Sequence, residues 1–89
     1  SRAEAAKVIG DMIGTSVRWK GVVLEHWETG KLICDCNGIT VDCGQKNGGR
    51  LRVGTDVYIS ARIAGVENYG VLGIEVALSD VKLGRHSFP

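Results

Sequence analysis

The chain has 89 residues, 44% of them hydrophobic and 24% charged, with 11 Lys and Arg against 10 Asp and Glu. That length has room for one hydrophobic core and so for a single domain, residues 1–89, and a net charge of only +1 excludes a chain held open by self-repulsion. No apolar run approaches the roughly 20 residues of a membrane span and no basic-then-apolar leader stands at the N-terminus, so the chain reads as soluble, whether whole or excised from a longer protein.

Three cysteines cannot all pair within one chain, which fits a reducing compartment and a cytoplasmic location. Thirteen glycines against one proline point to tight turns and bent strands, an all-β signature. In chain order, Arg2 to Ile13 reads as a short helix, capped by Ser1 and ended by Gly14, whose stripe of Ala5, Val8, Ile9 and Met12 would cover an open end of the strands after it. From Thr15 to about Glu28 the period is two, with Val17, Trp19, Gly21 and Val23 on one face and Arg18, Lys20 and Val22 on the other. Gly21 is the expected bend. A bulge there would exchange Val23 and Glu25 with Val22 and Leu24 and move Trp27 between core and solvent.

Thr29-Gly30 is a turn, and Lys31 to Cys36 is the second strand. Asn37-Gly38 suits a type I′ turn, returning the chain as a third strand from Ile39 to Cys43. The register then pairs Cys36 with Ile39, Asp35 with Thr40, Cys34 with Val41, Ile33 with Asp42 and Leu32 with Cys43. One face is wholly apolar, and the other carries Ile33, Asp35, Thr40 and Asp42. A Gly-rich loop, Gln45 to Arg50, precedes a fourth strand from Asp56 to Ile63 with Val57, Ile59, Ala61 and Ile63 inward. Val66 to Gly70 reads as a loop, Val71 to Val81 as a fifth strand with Leu72, Ile74, Val76 and Leu78 inward, and Lys82 to Pro89 as a frayed tail.

This pattern, a long glycine-bent first strand, a tight second hairpin and a connection before the fourth strand, resembles the OB-fold from about residue 15 to residue 81. The fold expected is therefore all-β, a five-stranded Greek-key OB-fold barrel with a short N-terminal α-helix. Val17-Arg18-Trp19-Lys20-Gly21-Val22-Val23 and Leu51-Arg52-Val53-Gly54-Thr55-Asp56-Val57-Tyr58-Ile59-Ser60-Ala61 resemble the first and fourth strands of bacterial tRNA anticodon-binding-like OB domains. Many OB-folds place a helix between strands three and four. Here only a short Gly-rich loop is available, and the N-terminal helix is expected to plug the barrel instead.

The resemblance implies a ligand over strands two and three, flanked by loops that contain Trp27, Lys31 and Tyr69. Aromatic rings there would stack on unpaired bases. The competing reading packs Trp27 on Leu32 and makes Tyr69 a loop cap, while Trp19 shares phase with the core. Arg18 and Lys20 from strand one and Arg62 from strand four, with Arg50 and Arg52 from the preceding loop, would form a stripe for phosphates, unless they are ordinary solvated charges. Asp35 and Asp42 would repel phosphates from the usual platform. That face, with Leu24, Ile33 and Thr40, suits a protein partner instead, and an edge strand would support a homodimer.

Cys34, Cys36 and Cys43, with His26, would make a zinc site only if all four converged. Their phase marks the cysteines as buried apolar side chains. His26 and His86 accompany no poised nucleophile, and the glycines of the 44–49 loop open no helix to cradle phosphate, so no enzyme, no cofactor and no small-molecule substrate is expected. The expectation is a non-catalytic OB-fold module for single-stranded nucleic acid, using Arg18, Lys20, Trp27, Lys31, Arg50, Arg52, Arg62 and Tyr69; the alternative is a protein-interaction or assembly module.

Overall fold

The computed structural model describes residues 1–89 as α1 (Arg2–Gly10), β1 (Ser16–His26), β2 (Lys31–Cys36), β3 (Ile39–Gln45), β4 (Asp56–Asn68), a 3₁₀ turn (Gly70–Leu72) and β5 (Ile74–Gly84). The strands close in the order β1-β2-β3-β5-β4. All neighbours are antiparallel except β3 and β5. This is an OB-like barrel with one short helix. Closure gives every strand a hydrogen-bonded neighbour on both sides over at least part of its length, so no strand is an edge strand throughout, although residues 16–21 of β1 pair only with β4.

β1 serves both halves of the barrel. It pairs with β4 from Ser16 to Val22 and with β2 from Val22 to His26. Gly21 sits at this crossing, where a β-carbon would lie 2.8 Å from Cys36 Sγ and 3.2 Å from the Asp35 carbonyl. The glycine thus permits a close approach of strands and is not a bulge. The bulge lies further on, where the register shifts between Val23 and Glu25, leaving Leu24 and Glu25 outside and turning His26 inward.

The β2–β3 hairpin adopts the expected register from Cys36↔Ile39 to Ile33↔Asp42, around a turn with φ of 55° at Asn37 and 88° at Gly38. Beyond it the register slips by one, so that Lys31 faces Gln45 and Leu32 faces His26 on β1 in place of the expected Cys43. Positive φ at Gly44 accommodates the extra residue.

The expected 66–70 loop is instead strand. β4 runs on through Gly65↔Ala77, Val66↔Val76 and Glu67↔Glu75 to Asn68↔Ile74. Gly65 reads as a breaker in sequence, but it takes no positive φ, and the β-branched Val66 continues the ladder beside it. The β4–β5 connection therefore shrinks to Tyr69–Gly73, and Leu72, expected inward, is 85% exposed. β5 starts and ends three residues late, and its far end at Gly84 pairs with Tyr58. The tail is not frayed: Phe88 packs edge-on against Tyr58, ring centroids 5.2 Å apart, beneath the Arg18 guanidinium at 4.6 Å. Gly84 makes the return tight, since a β-carbon there would overlap the Ser87 carbonyl.

Alternate residues of all five strands fill the interior, including Val17, Val23, Leu32, Val41, Val57, Ile59, Ile63, Val76 and the three cysteines. The helix is shorter than expected, ending at Gly10. It seals one end with Ile9, flanked by Ala5, Ala6 and Met12, and leaves Val8 60% exposed. Two backbone hydrogen bonds, Gly14 N–H to the Ile63 carbonyl and Ile63 N–H to the Thr15 carbonyl, tie its C-terminal side to β4. No helix is long and apolar enough to cross a membrane.

Candidate nucleic-acid interface

Outward residues of neighbouring strands form rows, because directly opposed side chains in an antiparallel pair share a face. One row is Arg18, Ser60 and Lys82, the next Lys20, Tyr58 and Gly84, and a third Ser16, Arg62 and Ser79. The outer face of β1, β4 and β5 thereby collects Arg18, Lys20, Arg62 and Lys82. The cations differ in what holds them. Arg62 Nη1–H donates to the Gly14 carbonyl at 3.0 Å, and its Nε lies 3.7 Å from the Asp80 carboxylate. Arg18 lies over the Phe88 ring and Lys20 lies 5.6 Å from the Tyr58 ring centroid, neither with a carboxylate partner.

The rows further along the strands are acidic. Val22, Asp35, Thr40, Glu75 and Glu67 succeed one another around the barrel, and beside them run Glu25, Ile33, Asp42 and Ala77. Two of these carboxylates also serve the backbone: Asp42 Oδ1 accepts from Gly44 N–H at 2.8 Å and Asp35 Oδ2 from Gly38 N–H at 3.4 Å. Lys31 lies 3.9 Å from Asp42. Ile33, expected to be exposed on this face, is only 7% exposed, whereas Val22 and Leu24 remain open. Phosphates would meet repulsion here.

The remaining predicted residues do not join the basic face. Trp27 is 48% exposed in the β1–β2 loop, with the Lys31 ammonium 5.6 Å from its ring. Its expected partner Leu32 is wholly buried inside the barrel. Arg50 Nε–H donates to the His26 carbonyl at 3.1 Å and Nη1 lies 3.8 Å from Glu28, so Arg50 belongs to this loop as well. Arg52 is exposed two residues on, before the turn into β4. Tyr69 lies at the other end of the hairpin, since β3 and β5 start side by side there. The length of β2, about 17 Å at 3.3 Å per residue, separates Tyr69 from Trp27.

His26 organises the connection between β3 and β4. It is buried, Leu51 N–H donates to its Nδ1 at 2.8 Å, and its Nε2 lies 2.8 Å from the Lys46 carbonyl. An amide can only donate and a carbonyl only accept, so the proton sits on Nε2 and the ring is neutral. Both nitrogens are thus committed to the loop, and the ring does not complete a ligand set with the thiols. The cysteines lie inside the barrel. Burial, then the charges of Cys34 and Asp35, push the Cys36 thiol up to about 12. The hydrogen bond with Cys34, then burial, raises Cys43 in the same sense.

Sequence reasoning missed Tyr58, Lys82 and Phe88. Tyr58 alternates with Val57 and Ile59 and is legible as outward, but only the β1–β4 register sets it beside Lys20. Lys82 and Phe88 lie in the segment that reads as tail. Comparison with protein-family models, curated proteins and solved structures returned no match.

Proposed function

We propose that this barrel is a non-catalytic module that binds single-stranded nucleic acid along the outer face of β1, β4 and β5. The observation that carries the reading is the gathering of Arg18, Lys20, Arg62 and Lys82 around Tyr58 and Phe88, in rows separate from the acidic ones. The resemblance of the first and fourth strands to tRNA anticodon-binding-like OB domains supports the same ligand class, although the track is not the β2–β3 platform. Rings beside cations supply what an unpaired strand offers partners for, its bases and its phosphates. Four phosphate contacts give log K a slope near −3 on log salt, or about a 50-fold loss of affinity from about 50 to about 200 mM.

Fluorescence anisotropy with a labelled oligothymidylate tests this. Saturable, salt-sensitive binding is expected, and R18E/K20E is expected to weaken it by at least about tenfold, while R50E/R52E changes it less than about threefold. Absence of binding at low salt, or full binding by R18E/K20E, overturns the proposal. A second reading, protein docking on the β2–β3 face, is favoured by the exposed Val22 and Leu24 beside Asp35. It predicts that L24D removes a partner's binding and leaves oligonucleotide affinity unchanged.

A further inference from the structure

β1 leaves β2 at Val22 to follow β4, while the hairpin runs on to Asn37. The divergence opens a cavity of about 360 Å³ lined by Ile9, Arg18, Trp19, Lys20, Cys36, Asn37 and Ile39. Helix α1 contributes Ile9 to its wall. The volume falls at the lower end of the range for small-ligand sites, so it suits one compact group.

Its chemistry is divided. Trp19, Ile9, Ile39 and Cys36 are apolar, and Trp19 is half-buried. Arg18 and Lys20 are the only charged residues of the lining; their charged ends lie over Phe88 and near Tyr58 on the basic face, across the β1 backbone from Trp19, so a group using both the cations and Trp19 would reach over this strand's free edge. No carboxylate lines the space. Asn37 adds an amide that can both donate and accept. A simple anion would use the two cations and leave the indole idle; an apolar side chain would use the indole and leave the cations unpaired. A planar base joined to a phosphate uses both.

We infer that this cavity receives one unpaired nucleotide of the bound strand, its base against Trp19 and its phosphate on Arg18 and Lys20. The inference rests on the nucleic-acid reading and assigns it a subsite away from the β2–β3 platform. It also gives Trp19 a role beyond the core to which its phase assigns it.

The test uses W27F protein, in which Trp19 is the only tryptophan. Unlabelled oligothymidylate should quench Trp19 emission in step with binding measured by anisotropy. A strand of equal length and charge lacking bases should bind at least about tenfold more weakly, the worth of one base stack or more, and leave the emission unchanged. Four results separate the possibilities. If oligothymidylate binds but Trp19 emission does not change, the subsite is overturned and the basic-face reading stands; if the base-free strand binds equally well, the subsite is overturned together with any stacking on Tyr58 and Phe88, and only a phosphate track is left. If thymidine monophosphate quenches Trp19 while the bound strand does not, the cavity serves a free nucleotide and the inference is likewise wrong. If neither strand binds at any salt concentration, the functional reading falls and the subsite with it. Because W19L also removes core packing, emission rather than the variant's affinity decides the matter.

Discussion

Replacing His26 by alanine removes the one side chain that holds the β3–β4 loop at two points. The imidazole joins Lys46 to Leu51 through bonds of 2.8 Å each, and Arg50, on the His26 carbonyl, adds a third bond to the same loop. Each bond has a net worth of about 1 kcal/mol, and the void left by the buried ring adds to the loss, so H26A is expected to cost about 2–4 kcal/mol. For a domain of this size that is a fall in Tm of about 10–25 °C. Asparagine provides an internal control. Its Oδ1 falls near the place of Nδ1 and can accept from Leu51 N–H, but its amide is too short to reach Lys46, so H26N should recover about half of the loss. Urea denaturation followed by circular dichroism measures the three proteins, and hydrogen exchange at Leu51 reports the bond itself. Equal stability of H26A and H26N, or a loss below about 0.5 kcal/mol, would refute the two-point staple.

Three further outcomes rest on the packing. G21A places a methyl group 2.8 Å from Cys36 Sγ and 3.2 Å from the Asp35 carbonyl, and should lose about 1–3 kcal/mol, part of it restored in G21A/C36A because the sulfur is gone while the carbonyl remains; chemical denaturation of the three variants reads this. Cys36 ionises in the unfolded chain near its ordinary 9.0 but in the native barrel only near 12, so its contribution is complete below pH 9 and is lost as pH rises toward 12. At about pH 10.5 the loss is about 2 kcal/mol, and C36A should flatten the fall of stability with alkaline pH by that amount. F88A removes the edge-on contact with Tyr58 and should lower stability by about 0.5–1.5 kcal/mol in a thermal melt, where a frayed tail would give no change.

Alternation and turn chemistry make most of the barrel legible. Val57 to Ile63 and Lys31 to Cys36 can be assigned because one face of each strand is uninterrupted by polar residues, and Asn37-Gly38 sets the hairpin register because both positions need positive φ. The misses occur where glycine has two meanings. Gly65 and Gly70 look alike in sequence, but Gly65 continues a ladder and Gly70, at φ of 63°, turns the chain. The site is hidden differently. Arg18 and Lys20 are visibly outward, but their neighbours Ser60 and Tyr58 follow from a β1–β4 register between strands distant in sequence, and Lys82 joins them only because β5 runs past Val81 into the segment that reads as tail. Phase places Trp19 in the core, and phase alone does not reveal that its half of β1 has no β2 beside it.

A net charge of +1 speaks against a polyanion ligand only weakly, because it describes the average over a closed surface, and at 0.15 M salt an exposed charge is felt over only about 8 Å. The barrel is 25 by 21 Å across its shorter dimensions, so its two sides act on a ligand almost independently. Arg18, Lys20, Arg62 and Lys82 present one sign, and Asp35, Glu67 and Glu75 the other, displaced along the strands so that Glu67 lies five residues beyond Arg62 on β4, about 17 Å at 3.3 Å per residue. On the proposed reading, a strand lying on the basic rows of β1, β4 and β5 would be attracted locally, while the acidic rows would resist its sliding onto the β2–β3 platform. Global neutrality would then, on the same reading, restrict the ligand's track as well as limit its affinity, because a strand on the β2–β3 face would meet Asp35 and Asp42.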